Sequence, residues 1–116
     1  MLVEDDRESR RMIAAVLRAA GASVVPVESA TAALDAFEQQ PPEIVITDIA
    51  MPEMDGYAFT RALRARPAAE DVKIIALTAF SAGKNDQSNF AAYLLKPIDP
   101  FHLVDEVARV ANRAKK

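Results

Sequence analysis

Cysteine and tryptophan are absent from this 116-residue chain, histidine occurs once, and there are only three glycines. Without cysteine there can be no disulfide, no thiolate metal site and no thiol nucleophile, and the usage fits a reducing compartment. Aromatic residues make up 6% of a chain that is 51% apolar, so the core has to be aliphatic. No apolar run approaches the ~20 residues of a membrane-spanning helix. The first residues lead into a strand rather than a signal peptide, and no membrane association is expected. Positive charge is also lacking: 14 Lys and Arg stand against 17 Asp and Glu, a net charge of −3. That balance argues against a nucleic-acid-binding surface. What is left is one domain, residues 1–116, large enough to bury a core without staples and expected to be soluble and cytoplasmic.

The most informative stretch runs from Ile44 to Gly56. Ile44, Val45 and Ile46 are consecutive β-branched residues behind Pro41-Pro42, the pattern of a strand buried on both faces inside a parallel sheet. The run stops at Asp48, and Pro52 and Gly56 then mark a loop. Asp48 therefore sits at the carboxyl end of a central strand, the edge where open α/β sheets bind ligands.

The rest of the chain alternates strand and helix around this one. Met1-Leu2-Val3 predicts a first strand ending in Glu4-Asp5-Asp6. Asp6 caps a helix with Ile13, Val16, Leu17 and Ala20 inward, and Gly21 stops it. A second strand is expected over Ser23–Val27, on an edge because of Pro26. Ser29 caps a helix through Gln39 with Ala33, Leu34 and Phe37 inward. A third helix is expected over Tyr57–Ala65, closed by Pro67. Lys73–Leu77 forms a fourth strand ending in Thr78, and Tyr93-Leu94-Leu95 a fifth ending in Lys96-Pro97. Asp99 then caps a last helix with Pro100 at its first position and Leu103, Val107, Val110 and Ala111 inward. Arg109, Arg113, Lys115 and Lys116 collect at its end, a solvated cationic terminus matched to the helix dipole. His102, near the start of that helix, is expected at the surface. Between Thr78 and Lys96 the segment Ser81–Asn89 is polar and lacks periodicity, so a helix there is one or two turns at most.

In a parallel sheet covered by helices the strand ends share one edge, so Glu4, Asp5, Asp48, Thr78 and Lys96 can converge. Three neighbouring carboxylates repel unless a cation joins them. Oxygen ligands without histidine or cysteine point to a hard ion, and Mg²⁺ fits best. Lys96 and Thr78 suit a phosphoryl oxygen, and a carboxylate can itself be the nucleophile that forms an aspartyl phosphate.

These residues, in this order, resemble the response-regulator receiver domain of two-component signalling over essentially the whole chain. Glu4-Asp5 resembles its acidic pair, Asp48 the phosphoacceptor, and Met51-Pro52-Glu53-Met54-Asp55-Gly56 the loop that follows. Thr78-Ala79 resembles the hydroxyl site, Tyr93 the switch aromatic, and Lys96-Pro97 the lysine and its proline, a bond often cis in that family. The resemblance implies a flavodoxin-like α/β fold, a (βα)5 three-layer sandwich with a parallel five-stranded sheet of order 2-1-3-4-5. It implies Mg²⁺ held by Asp5, Asp48 and the backbone carbonyl of Ala50, with Glu4 acting through water. It further implies a phosphoryl group received from a histidine kinase or histidine phosphotransfer protein. Thr78 and Tyr93 then rearrange to change a surface seen by a downstream protein or output domain. Such a chain is a signalling domain, not an enzyme, catalysing only its own phosphorylation and dephosphorylation. Dimerisation is left open.

Two departures from the family pattern stand out. The interval from Thr78 to Lys96 is roughly one helical turn short, so the helix between the fourth and fifth strands is expected to be truncated or missing. Asn89 stands where a glycine is usual. Ala50 and Phe80, at positions that influence hydrolysis in the family, are both apolar, which implies slow self-dephosphorylation. Three other readings compete. A metal-dependent phosphatase would want a second carboxylate where Ala50 stands. A nucleotide-binding module would want a glycine-rich first turn where Glu4 to Arg10 stand. A phosphorylation-independent docking module would keep the fold without the chemistry.

Overall fold

A computed structural model describes residues 1–79 and 90–114, the side chains of 113 and 114 aside. The described strands are β1 (Leu2–Val3), β2 (Pro26–Val27), β3 (Ile44–Asp48), β4 (Lys73–Thr78) and β5 (Ala92–Leu95). The described helices are α1 (Arg7–Ala19), α2 (Ala30–Gln39), α3 (Gly56–Arg64) and α4 (Pro100–Ala114), with a 3-10 turn at Pro67–Ala69. All pairings are parallel and the strand order is β2-β1-β3-β4-β5, as the resemblance implied. The segment for which a truncated or missing helix was expected, together with Phe80, lies outside the described residues; so do Lys115 and Lys116.

Strand residues alternate between two faces, and each face carries its own apolar layer. Along β4, Ile74 and Ala76 join Val3, Phe37, Val45, Phe59 and Leu63, the layer under α2 and α3. Ile75 and Leu77 point the other way, to Leu2, Ile13, Leu17, Ile46, Leu94, Leu103 and Val110 under α1 and α4. β3 and β4 are thus buried on both sides, which explains the unbroken β-branched run that marked β3.

The helices begin where capping chemistry places them. Asp6, Ser29 and Asp55 each accept from the backbone N–H three residues on, at 2.8, 3.1 and 2.8 Å. Asp99 Oδ1 accepts from the Phe101 N–H at 2.9 Å ahead of Pro100 at the first helical position. Gly21 takes φ of +99°, the left-handed stop expected after α1.

Three expectations change. Ala20 is exposed, because α1 has ended by then and Ala20 is its cap; Ala14 takes the buried place instead. β2 is shorter than Ser23–Val27, since β1 offers it only Leu2 and Val3 as ladder partners. Val16 on α1, Leu34 on α2, and Val107 and Ala111 on α4 are half-buried, while Leu103 and Val110 are fully covered. Pro26 does lie on the edge strand, where its missing N–H costs no ladder bond. His102 is exposed.

Candidate functional site

The parallel register delivers the acidic residues to one edge. β1 ends at Val3 beside Thr47, and Asp48 is paired with Leu77, so Glu4, Asp48 and Thr78 each stand at a strand's carboxyl end. Lys96 follows β5 directly, and its N–H donates to the Thr78 carbonyl at 2.8 Å. The Lys96–Pro97 peptide bond is cis.

Carboxylate oxygens of Glu4, Asp5 and Asp48 all lie within 4.8 Å of one another. Asp5 is exposed, whereas Glu4 is fully buried and Asp48 nearly so. Lys96 Nζ bridges two of them, at 2.9 Å from Glu4 Oε1 and 3.1 Å from Asp48 Oδ2. The other Glu4 oxygen accepts the Asp6 N–H at 3.1 Å.

Burial sets the electrostatics. It pushes the Glu4 carboxyl up from its ordinary 4.5 to about 7, and the neighbouring Asp48 adds to the rise. The Lys96 ammonium and the Asp6 N–H offset only part of it. Burial pulls Lys96 down, but its hydrogen bonds to Glu4 and Asp48 outweigh that and leave it raised. Lys96 pairs with two of the three carboxylates, and the exposed Asp5 leaves the edge able to take further positive charge. An all-oxygen donor set of this size suits a hard cation such as Mg²⁺.

The loop after Asp48 is built for close approach. Gly56 opens α3 against the end of β3, and its N–H donates to the Ile49 carbonyl at 2.8 Å. A Cβ on Gly56 would lie 2.6 Å from the Asp48 carbonyl oxygen and 2.7 Å from Ile49 Cα, so only glycine fits. Thr47 Oγ1 donates to that same Asp48 carbonyl at 3.0 Å, and Thr60 Oγ1 to the Gly56 carbonyl at 2.8 Å. Within the loop Glu53 has φ of 70°, and the Met54 N–H reaches the Pro52 carbonyl at 2.8 Å, a three-residue turn. Ala50 is exposed in the bend after β3.

Tyr93 on β5 is half-buried, with its ring 5.2 Å from that of Phe90, which in turn sits edge-on to Tyr57 of α3 at 5.9 Å. The structure therefore gathers Glu4, Asp5, Asp48 and Lys96 in direct reach and puts Thr78 on the same edge. Tyr93 lies on β5, the strand that leads into Lys96, within an aromatic cluster. Sequence reasoning missed Arg10, whose guanidinium donates to the Glu4 carbonyl at 2.9 Å and to the Asp5 carbonyl at 3.4 Å. Its spacing from the acidic pair was the only available signal. It also missed the left-handed Glu53, which the preceding Pro52 hints at.

Comparison with known proteins bears on the family and the fold. The model of the response regulator receiver domain family matches residues 1–108. An uncharacterised 14.6 kDa protein of Leptolyngbya boryana is 36% identical over 108 residues, covering 90% of this chain and 82% of that protein. Response regulator receiver protein CpdR of Brucella abortus (strain 2308) is 33% identical over 114 residues, covering 95% and 93%. Among solved structures, a CheY-like response regulator receiver domain protein from Methanospirillum hungatei JF-1 superposes with a TM-score of 0.90 at 26% identity. That superposition covers 99% of this chain and 94% of the other. Among the described residues, no helix is long and apolar enough to cross a membrane.

Proposed function

We propose, from the premise that this chain belongs to the response regulator receiver domain family, that it takes a phosphoryl group onto Asp48. The donor is the phosphohistidine of a histidine kinase or a histidine phosphotransfer protein. The observation that carries this reading is the Lys96 ammonium bridging Glu4 and Asp48 at 2.9 and 3.1 Å, beside an exposed Asp5.

In the transfer, an Asp48 carboxylate oxygen forms the bond to phosphorus as the donor's P–N bond breaks. The imidazole leaves with the electron pair of that bond and takes a proton. Asp5, Asp48 and the backbone carbonyl of Ala50 would hold Mg²⁺, with Glu4 acting through water. When bound, the ion supplies positive charge to the phosphoryl oxygens. Lys96 is already hydrogen-bonded to Asp48, so a short swing of its ammonium reaches an oxygen of the arriving group. Thr78 offers a hydroxyl to another. The domain signals rather than turning over an external substrate. Movement of Thr78 toward the phosphoryl group frees space for Tyr93, and the surface around β5 and α4 then changes for a downstream protein or output domain. The apolar side chains of Ala50 and Phe80 cannot orient an attacking water, so the phosphorylated form is long-lived.

Intact-mass spectrometry after incubation with acetyl phosphate and Mg²⁺, beside Asp48→Asn, tests the assignment. A single phosphoryl adduct that requires Mg²⁺ and disappears in Asp48→Asn is the expected result. No adduct from acetyl phosphate or from a panel of phosphorylated kinases would replace this reading with a phosphorylation-independent docking module.

A further inference from the structure

Of the three carboxylates at the strand edge, two are held by their own bonds. Glu4 is gripped by Lys96 and by the Asp6 N–H. Asp48 belongs to β3 and is paired with Lys96. The Asp5 carboxylate is different: it is exposed, and among the described residues no hydrogen bond or ion pair holds it. Where it points depends on the backbone that carries it.

That backbone has left the sheet. The β1 ladder ends at Val3, so the Glu4 and Asp5 carbonyls lie beyond the last strand pair. Arg10, in the second turn of α1, supplies the missing donor: one guanidinium nitrogen reaches both carbonyls, at 2.9 and 3.4 Å. The turn is therefore tied at both ends. The Asp6 carboxylate anchors it to the start of α1 through Ser9, and Arg10 anchors it from behind. A bond from a charged guanidinium to a carbonyl is stronger than a neutral one.

We propose that Arg10 is a positioning residue, fixing the turn that presents Asp5 and thereby setting how tightly the acidic edge holds a divalent cation. This rests on the reading of that edge as a Mg²⁺ site. The inference has a distinctive sign. On Coulomb grounds alone, removing a positive charge from beside the acidic turn tightens cation binding. Loss of positioning weakens it, by about tenfold for a group that orients a ligand from behind.

The test is Mg²⁺ titration by calorimetry at fixed ionic strength, on the wild-type chain, Arg10→Gln and Arg11→Gln. Arg11 is exposed on the same helix and carries the same charge, so its variant reports charge without the clamp. Urea unfolding in EDTA is run in parallel. The expected result is a Mg²⁺ Kd raised about tenfold in Arg10→Gln, with Arg11→Gln unchanged or slightly tighter. If Arg10→Gln fails to fold, Arg10→Lys carries the test. It keeps the charge on a shorter side chain whose nitrogen stops short of the place from which the single guanidinium nitrogen reaches both carbonyls, and a Kd above wild type is expected. A Kd in the folded Arg10 variant equal to or below wild type overturns the proposal, whatever happens to the urea midpoint. Absence of Mg²⁺ binding by the wild-type chain would instead remove the reading of the edge on which the proposal rests.

Discussion

Replacing Glu4 with glutamine should stabilise the metal-free domain at alkaline pH and do little at acid pH. Glu4 is fully buried, and its carboxyl is held near 7 against an ordinary 4.5. A folded-state value raised above the unfolded one contributes stability that is complete below the unfolded value and is lost as pH rises through the folded one. Below pH 4.5 both states carry the proton. Between 4.5 and about 7 the unfolded chain ionises first and gains, and above that range the full cost stands. At 1.36 kcal/mol per unit the full cost is on the order of 3 kcal/mol. Glutamine keeps the shape and never ionises; its one carbonyl oxygen accepts from the Asp6 N–H or from Lys96 but not from both, and Lys96 retains Asp48. The stability difference between Glu4→Gln and wild type should therefore grow by about 2–3 kcal/mol in favour of the variant from pH 5 to pH 8. In urea with EDTA that is a relative midpoint shift of roughly 2 M. Groups that do not contact Glu4 cancel in the difference. Parallel stability curves across that pH range would refute the account of Glu4 as a carboxylate ionised at a cost.

Two further substitutions probe the loop behind Asp48. Gly56→Ala places a Cβ against the Asp48 carbonyl and Ile49 Cα, both backbone, so α3 must back away. The expected cost is about 1–3 kcal/mol in urea unfolding together with slower phosphoryl uptake; wild-type values for both would show that the close approach is dispensable. Ala50→Asn offers a side chain able to hold a water near Asp48, and the half-life of the phosphorylated form, followed by intact mass, should fall severalfold. An unchanged half-life would mean that hydrolysis is limited elsewhere.

Much of this was legible in the sequence because the relevant signals are local. A β-branched run ending in Asp48, Asp6 and Ser29 before amphipathic segments, and Pro100 behind Asp99 each declare an element boundary without reference to the rest of the chain. Parallel topology then forces the strand ends together, so Glu4, Asp48, Thr78 and Lys96 could be grouped before any distance was known. What stayed hidden depends on register and approach. The length of β2 is decided by how much of β1 it can pair with. The need for Gly56 comes from the carbonyl of a residue eight positions earlier. Arg10 looks like any surface arginine of a helix until the acidic turn folds back over it.

The contact between Lys96 and Glu4 joins residues 92 positions apart. Synthesis runs from the amino to the carboxyl end, so the acidic pair is made before its lysine partner. Between them β3 and β4 must be laid down in the sheet, since β5 is attached only through β4 and β4 through β3. No fragment that stops short of β5 contains the ion pair, however well its earlier strands and helices are packed. The edge that carries the charged groups is thus also a closure: it exists only in a chain whose first and last strands have been brought into one sheet.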